Sequence, residues 1–165
     1  MDRSSPQVVG AFSTVSASAF HSCGIKVGAA RNVLYCWGEN GSGRLGDGTE
    51  SRRLRPTPID SVLSFVSLAS MSAAEHTCGI SKAGTAFCWG RNWAGQLGIG
   101  LPLHDQSVPT AVQTSETFSQ LANGFAFSCG LSTRGLVYCW GRNDYGELGN
   151  GSIERRTVPF GVRSP

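Results

Sequence analysis

The sequence predicts an all-β chain, a partial β-propeller of three four-stranded antiparallel blades, and three observations carry that expectation. The segments Leu34-Tyr35-Cys36-Trp37-Gly38-Glu39-Asn40, Ala86-Phe87-Cys88-Trp89-Gly90-Arg91-Asn92 and Val137-Tyr138-Cys139-Trp140-Gly141-Arg142-Asn143 are near copies, and their tryptophans step by 52 and 51 residues. Self-similarity at a fixed period of about 51 residues marks a solenoid, a propeller or an array. Each copy also reads as several short strand-like runs divided by turn residues, with no helical apolar period. The 22 glycines fall at recurring positions rather than in a low-complexity tract. Four-stranded units repeated around an axis make a propeller.

The elements follow in the same order in each copy. A proline opens it: Pro6, Pro58 and Pro109, with Pro159 beginning a fourth, so the expected units are 6–57, 58–108 and 109–158, with 159–165 the start of a further repeat or a tail. A first strand is expected over Phe12 to Val15, Phe65 to Leu68 and Phe118 to Leu121. A small-residue turn follows at Ala17-Ser18-Ala19, Ser72-Ala73-Ala74 and Asn123-Gly124. The second strand starts at His21, His76 or Phe127 and runs through Cys-Gly-Ile or Cys-Gly-Leu; the third carries Cys-Trp-Gly. The turn Asn-x-x-Gly-x-Leu-Gly ends at Gly46, Gly98 and Gly149, and a fourth short strand is expected around Pro58-Ile59 and Pro109 to Val112.

The six cysteines fall in pairs within repeats, Cys23 with Cys36, Cys78 with Cys88 and Cys129 with Cys139. In the second and third copies the midpoint lies just before Gly84 and Gly135, residues able to supply the positive φ of a tight hairpin. That symmetry sets each pair opposite on adjacent antiparallel strands, where non-hydrogen-bonded partners lie ~4.5 Å apart at Cα, within disulfide reach. The first copy keeps both cysteines and lengthens only the tip, Val27 to Asn32. Three intra-hairpin disulfides are the expectation; reduced, buried thiols are the alternative. Disulfides imply an oxidising compartment, whereas the first residues, Met1 to Pro6, lack the apolar stretch of a secretory signal. The expectation is therefore extracytoplasmic if the cysteines are paired and cytoplasmic or nuclear otherwise, with an excised piece of a longer protein a further reading.

Composition narrows the function. A net charge of +3 is too weak to argue for nucleic acid or an anionic membrane. No apolar run approaches the ~18 residues of a membrane span. The run Gly41-Ser42-Gly43-Arg44-Leu45-Gly46 spells a dinucleotide fingerprint, but Asp47-Gly48-Thr49 opens no helix to receive a pyrophosphate, so no cofactor is expected. His21 or His76 with its two neighbouring cysteines offers three ligands where a structural zinc wants four, and Phe127 replaces the histidine in the third copy. The histidines are read as packing residues, as are Trp37, Trp89 and Trp140, and no catalytic or metal residue is assigned. Asn40-Gly41-Ser42 and Asn150-Gly151-Ser152 spell glycosylation sequons within the repeat's own turns.

What varies between copies is where a partner is expected. Trp93 and Tyr145 are aromatics at variable positions on a constant frame. Arg52, Arg53 and Arg55 in the first copy and Arg155 and Arg156 in the third fall in the loop after the Leu-Gly turn, on one rim, diluted by Glu50 and Glu154. These seven residues are the candidate partner-binding set.

Trp-Gly-x-Asn-x-x-Gly-x-Leu-Gly, preceded by His-x-Cys-Gly and followed by proline, resembles the repeat of the regulator of chromosome condensation family over about nine-tenths of the chain. The paired cysteines are similar to those of crinkly-type receptor ectodomains and bacterial members, which implies disulfide-braced blades. The family's rings usually have seven blades; three units cannot close one, which implies a segment of a larger propeller or self-association to complete a ring. The function expected is a non-enzymatic protein-protein interaction module presenting variable rim loops. The resemblance also implies two rivals: guanine-nucleotide exchange or other regulation of a small GTPase, with chromatin binding beside it, and an extracellular ligand-sensing or inhibitory propeller.

Overall fold

A computed structural model describes residues 11–71 and 73–163; Pro6 and Ser72 lie outside the described residues. The first sheet runs β1 (Thr14–Ala17), β2 (His21–Lys26), β3 (Val33–Gly38) and β4 (Arg53–Pro58), hydrogen-bonded in that order and antiparallel throughout. The chain then forms β5 (Phe65–Leu68), β6 (Ser70–Met71), β7 (His76–Ser81), β8 (Ala86–Gly90) and β9 (Gln106–Ala111), and the second sheet has the order β5-β7-β8-β9. The third consists of β10 (Phe118–Asn123), β11 (Phe127–Ser132), β12 (Val137–Gly141) and β13 (Arg156–Gly161). The architecture is thus the expected one: three four-stranded antiparallel units. One element was not foreseen. The short β6 leaves its own sheet and pairs in parallel with β10, Ser70 opposite Ala122, so the third sheet gains a fifth strand and the second is stitched to it.

The fourth strands begin earlier than the prolines suggested. Thr57, Thr110 and Phe160 lie opposite Cys36, Cys88 and Cys139, which makes Pro56, and not Pro58, the counterpart of Pro109 and Pro159. These prolines belong to strands that close a sheet. A proline has no N–H to give a ladder, and an edge strand is where that loss is tolerated. The units 6–57, 58–108, 109–158 and 159–165 open on prolines, whereas the hydrogen-bonded sheets end on that strand, at Pro58, Ala111 and Gly161.

Within each sheet one cluster recurs. Phe12, Phe65 and Phe118 set their rings 6.3, 5.8 and 6.0 Å from those of Trp37, Trp89 and Trp140. The glycine after the first cysteine makes room for that phenylalanine: a Cβ on Gly79 would stand 2.9 Å from Phe65 Cδ1. Cys23–Cys36, Cys78–Cys88 and Cys129–Cys139 are directly opposed and disulfide-bonded, with Cα atoms 4.1, 4.2 and 4.1 Å apart.

The apolar core lies between sheets. One cluster joins Ile25, Leu34 and Leu45 of the first sheet to Phe65 and Trp89 of the second; the other joins Ile80, Leu97 and Val112 to Phe118 and Trp140 of the third. Each buried tryptophan lies on the turn of the preceding sheet. A Cβ on Gly46 would come within 2.6 Å of Trp89 Nε1, and one on Gly98 within 2.7 Å of Trp140 Nε1, so only glycine permits the approach.

A polar relay runs beside each indole. Thr77 Oγ1 donates to Arg44 O (2.8 Å) and lies 2.7 Å from His21 Nε2. Ser128 Oγ donates to Gln96 O (2.9 Å) and lies 2.7 Å from His76 Nε2. Each hydroxyl proton is already committed to a carbonyl, so the imidazole must donate from Nε2 and leave Nδ1 unprotonated. Among the described residues neither Nδ1 has a partner. Protonation there would bury an unsatisfied charge. Burial, with the Arg44 charge second, lowers His21 to about 4, and burial, with His21 second, lowers His76 to about 3.

Two expectations follow. Replacing Cys78 and Cys88 together by alanine should lower the unfolding free energy by up to ~3 kcal/mol, read from urea titration, because a bridge closing so short a loop removes chain entropy from the unfolded state; an unchanged midpoint would contradict it. Both histidines have folded-state values below the unfolded 6.5. Between those limits the unfolded chain holds more protons and stability falls as pH falls. The loss should begin near 6.5 and approach completion near 4 for His21 and near 3 for His76. A flat stability profile from pH 7 to 5 would count against buried neutral imidazoles, whose ordinary range that window straddles.

Candidate protein-interaction surface

The rim is built by the Asn-x-x-Gly turns and the loops that lead into the fourth strands. Each turn is wound around a buried asparagine. Asn92 accepts from Leu97 N (3.1 Å) and donates to His104 O (3.2 Å); Asn143 accepts from Leu148 N (2.9 Å) and donates to Ser152 O and Glu154 O (2.8 and 2.9 Å). Side-chain amides take up backbone groups that no strand can satisfy. Trp93, Asp144 and Tyr145, which lie between asparagine and glycine in the second and third turns, therefore stand exposed on a fixed frame, while Ala94 is buried.

The expected cation pairs occupy equivalent positions, since Arg53 is opposite Gly38 and Arg156 is opposite Gly141. Their surroundings differ. Arg52 Nη2 lies 2.8 Å from Glu39, and Arg53 lies 2.6 Å from Asp47 and also donates to Thr49. The hydrogen bond from Arg52 holds the Glu39 carboxyl below its ordinary value. Burial alone would raise Asp47, but hydrogen bonds from Thr49 and Arg53 outweigh it and hold that carboxyl low as well. The first-copy cations are thus engaged locally; Arg55 is exposed. Arg156 lies 3.8 Å from Glu154, with its guanidinium 4.7 Å from the Phe160 ring.

The second and third sheets bring the other candidates together. Trp93, Ala94, Arg142, Asp144 and Arg155 line a groove of about 260 Å³. Arg155 Nη1 donates to Trp93 O at 3.4 Å. Arg142 donates from Nε to Asp144 at 2.6 Å and stacks 5.2 Å from the Tyr145 ring. Trp93 is 43% exposed and Tyr145 83%. Arg142 and Asp144 were not among the residues expected there. A signal existed: Glu39, Arg91 and Arg142 form a variable position directly after an otherwise constant Trp-Gly.

A larger concavity of about 440 Å³ lies between β5 and β10, bordered by Ser67, Leu68, Ser119, Gln120 and Leu121. Among the described residues that border it, none carries a free acid or base. Among the described residues no three His, Cys, Asp or Glu side chains gather as metal ligands.

Sheets of this size, each buried against the next and exposing turn loops along one rim, define a repeat protein of the β-propeller class. The Regulator of chromosome condensation (RCC1) repeat matches residues 32–80, 83–131 and 134–165, and the chain belongs to that family. Those matches run in yet another phase, as a cyclic pattern allows. The ultraviolet-B receptor UVR8 of Arabidopsis thaliana is 33% identical over 133 residues, 79% of this chain and 30% of its own length. Human WBSCR16 superposes with a TM-score of 0.80 at 22% identity, covering 94% of this chain and 39% of that structure. Prp20p of Saccharomyces cerevisiae gives 0.80 at 20% identity, covering 93% and 38%. The chain spans well under half of each of these relatives.

Proposed function

We propose that this chain is a non-enzymatic protein-interaction module, a segment of a propeller scaffold that holds another protein at the groove between its second and third sheets. The observation that carries the reading is the placement of two solvent-facing aromatics, Trp93 and Tyr145, beside Arg142 and Arg155 on turns anchored by buried asparagines. Aromatic and arginine side chains dominate the energetics of protein interfaces, and a rigid anchor loses little entropy on binding. The groove's lining supports a non-catalytic role, for it combines paired ions and an indole rather than a nucleophile with its base.

The disulfides support an oxidising, extracytoplasmic setting, which favours a ligand-sensing or inhibitory propeller over the intracellular rival. Prp20p has been described with its binding properties to Gsp1p and histones; the local neutralisation of Arg52 and Arg53 speaks against a phosphate-binding rim here. The test is comparative capture from an extract of the source organism, with wild type, a Trp93→Ala/Tyr145→Ala variant and a Val62→Ser control at an exposed position that does not line the groove. A partner held by wild type and control should weaken by ~30-fold or more on the groove variant, the loss that accompanies removal of a hot spot. Equal retention by all three would sink the proposed surface.

A further inference from the structure

Each sheet turns onto the rim at its buried asparagine, and in two of the three a carboxylate of the same sheet accepts that residue's backbone N–H. In the first sheet Glu39 Oε1 accepts from Asn40 N (3.3 Å), while its other oxygen accepts from Arg52 Nε and Nη2 (3.0 and 2.8 Å). The carboxylate is clamped between an amide and a guanidinium. In the second sheet Asp105 Oδ1 accepts from Asn92 N (2.7 Å). Register makes these positions equivalent. Arg52, Asp105 and Arg155 each precede the residue opposite the glycine of Trp-Gly, and Glu39, Arg91 and Arg142 each follow that glycine.

The third sheet keeps the amide and the clamping guanidinium but supplies no carboxylate between them. Arg142 stands at the position of Glu39, and Arg155 at that of Arg52 and Asp105. Among the described residues Asn143 N has no hydrogen-bond acceptor. The neighbouring acids are turned elsewhere: Asp144 accepts from Arg142 Nε (2.6 Å), Glu147 accepts from Tyr145 N (2.8 Å), and Glu154 lies 3.8 Å from Arg156. Arg155 donates to Trp93 O at 3.4 Å and, among the described residues, pairs with no acid. Two guanidinium groups, Arg142 and Arg155, thus face the single carboxylate of Asp144 in the groove. A following blade is not what would supply the acceptor. The first and second sheets each have a following sheet, and in both the acceptor comes from the asparagine's own sheet.

Resting on the groove as the protein-binding surface, we infer that it receives a carboxylate of the partner, seated between Asn143 N and Arg155 as Glu39 is seated between Asn40 N and Arg52. Arg155 would form the charge-assisted bonds, with the exposed rings of Trp93 and Tyr145 left to pack on neighbouring apolar groups. Asp144 limits the charge the site accepts. One monoanion balances the second guanidinium, whereas a phosphate dianion would meet the Asp144 carboxylate with charge in excess. An Asp or Glu side chain or the end of a chain can bring such a carboxylate.

The test is the 15N–1H correlation spectrum of the 17.4 kDa chain, recorded at constant ionic strength as probes are added from about 1 to 50 mM, a range that reads the millimolar affinity of a single charged contact. N-acetylglutamate α-methylamide offers a side-chain carboxylate, N-acetylalanine a chain end, and N-acetylglutamine methylamide is the neutral control. At least one acid should move the Asn143 amide proton downfield and saturate, the larger response naming the source, while the glutamine analogue leaves it in place. Arg155→Asp, at an exposed side chain, writes the carboxylate of the second sheet into the third. Its Asn143 amide proton should lie downfield without any probe and respond to neither acid, and circular dichroism establishes that the variant is folded. No response of the wild-type Asn143 amide to either acid would overturn the inference, as would an equal response to the neutral analogue or an undiminished response in folded Arg155→Asp. The two readings fail separately. A silent Asn143 amide with capture lost on Trp93→Ala/Tyr145→Ala removes the carboxylate and leaves the protein surface, whereas a shifting amide with capture unchanged removes the protein surface and leaves a carboxylate site.

Discussion

A tryptophan indole laid on the glycine of the preceding turn is the contact on which each later sheet depends. Trp89 on Gly46 and Trp140 on Gly98 are the largest fully buried side chains among the described residues. Each brings with it a phenylalanine from the same sheet and a leucine from the previous one. A single four-stranded sheet of about forty residues offers one layer and cannot cover its own apolar face; the core appears only when two sheets meet. Stability in such an array is a sum of weak units and strong junctions. The disulfide acts on the other term, holding the hairpin that carries the indole against unfolding within the sheet. The hydroxyl relay then fixes the angle between neighbours, because Thr77 and Ser128 reach a turn carbonyl only when the indole is seated.

Much of this was legible because repetition separates structure from use. Residues that recur in all copies, the paired cysteines, Trp-Gly and the asparagine turn, are those the frame consumes. Trp93, Tyr145, Arg142 and Arg155 vary because nothing in the frame requires them. The sequence could not show that Arg142 turns towards Tyr145, which depends on the shape of the turn after β12, nor that Arg155 turns towards Trp93, which depends on the angle between sheets. Nor could it reveal β6. Ser70 and Met71 carry no strand pattern of their own, and their pairing with Ala122 and Asn123 exists only once β5 and β10 stand side by side.

The phase of the repeat was the least legible feature. A cyclic pattern has no intrinsic start, and a proline two residues away from its true counterpart reads equally well in one dimension. Hydrogen-bond register decides it, through Thr57 opposite Cys36. The same register explains why Arg52 and Arg53 and the pair Arg155 and Arg156 share a rim position yet differ in availability. In the first sheet Glu39 and Asp47 face the cations, while in the third the position of Glu39 is held by Arg142 and that of Asp47 by Asn150, which leaves the groove net positive beside its aromatics.

The junction account is tested most directly by comparing Gly98→Ala with Gly135→Ala in chemical unfolding. The two glycines have similar positive φ, +70° and +81°, so an alanine meets the same backbone strain at both. Only Gly98 faces an indole; nothing lies within 4 Å of a Cβ at Gly135. The account requires Gly98→Ala to cost at least ~1 kcal/mol more than Gly135→Ala, the lower end of what overpacking a core contact costs. Equal losses for the two variants would mean that the seat of Trp140 on its turn does not hold the sheets together.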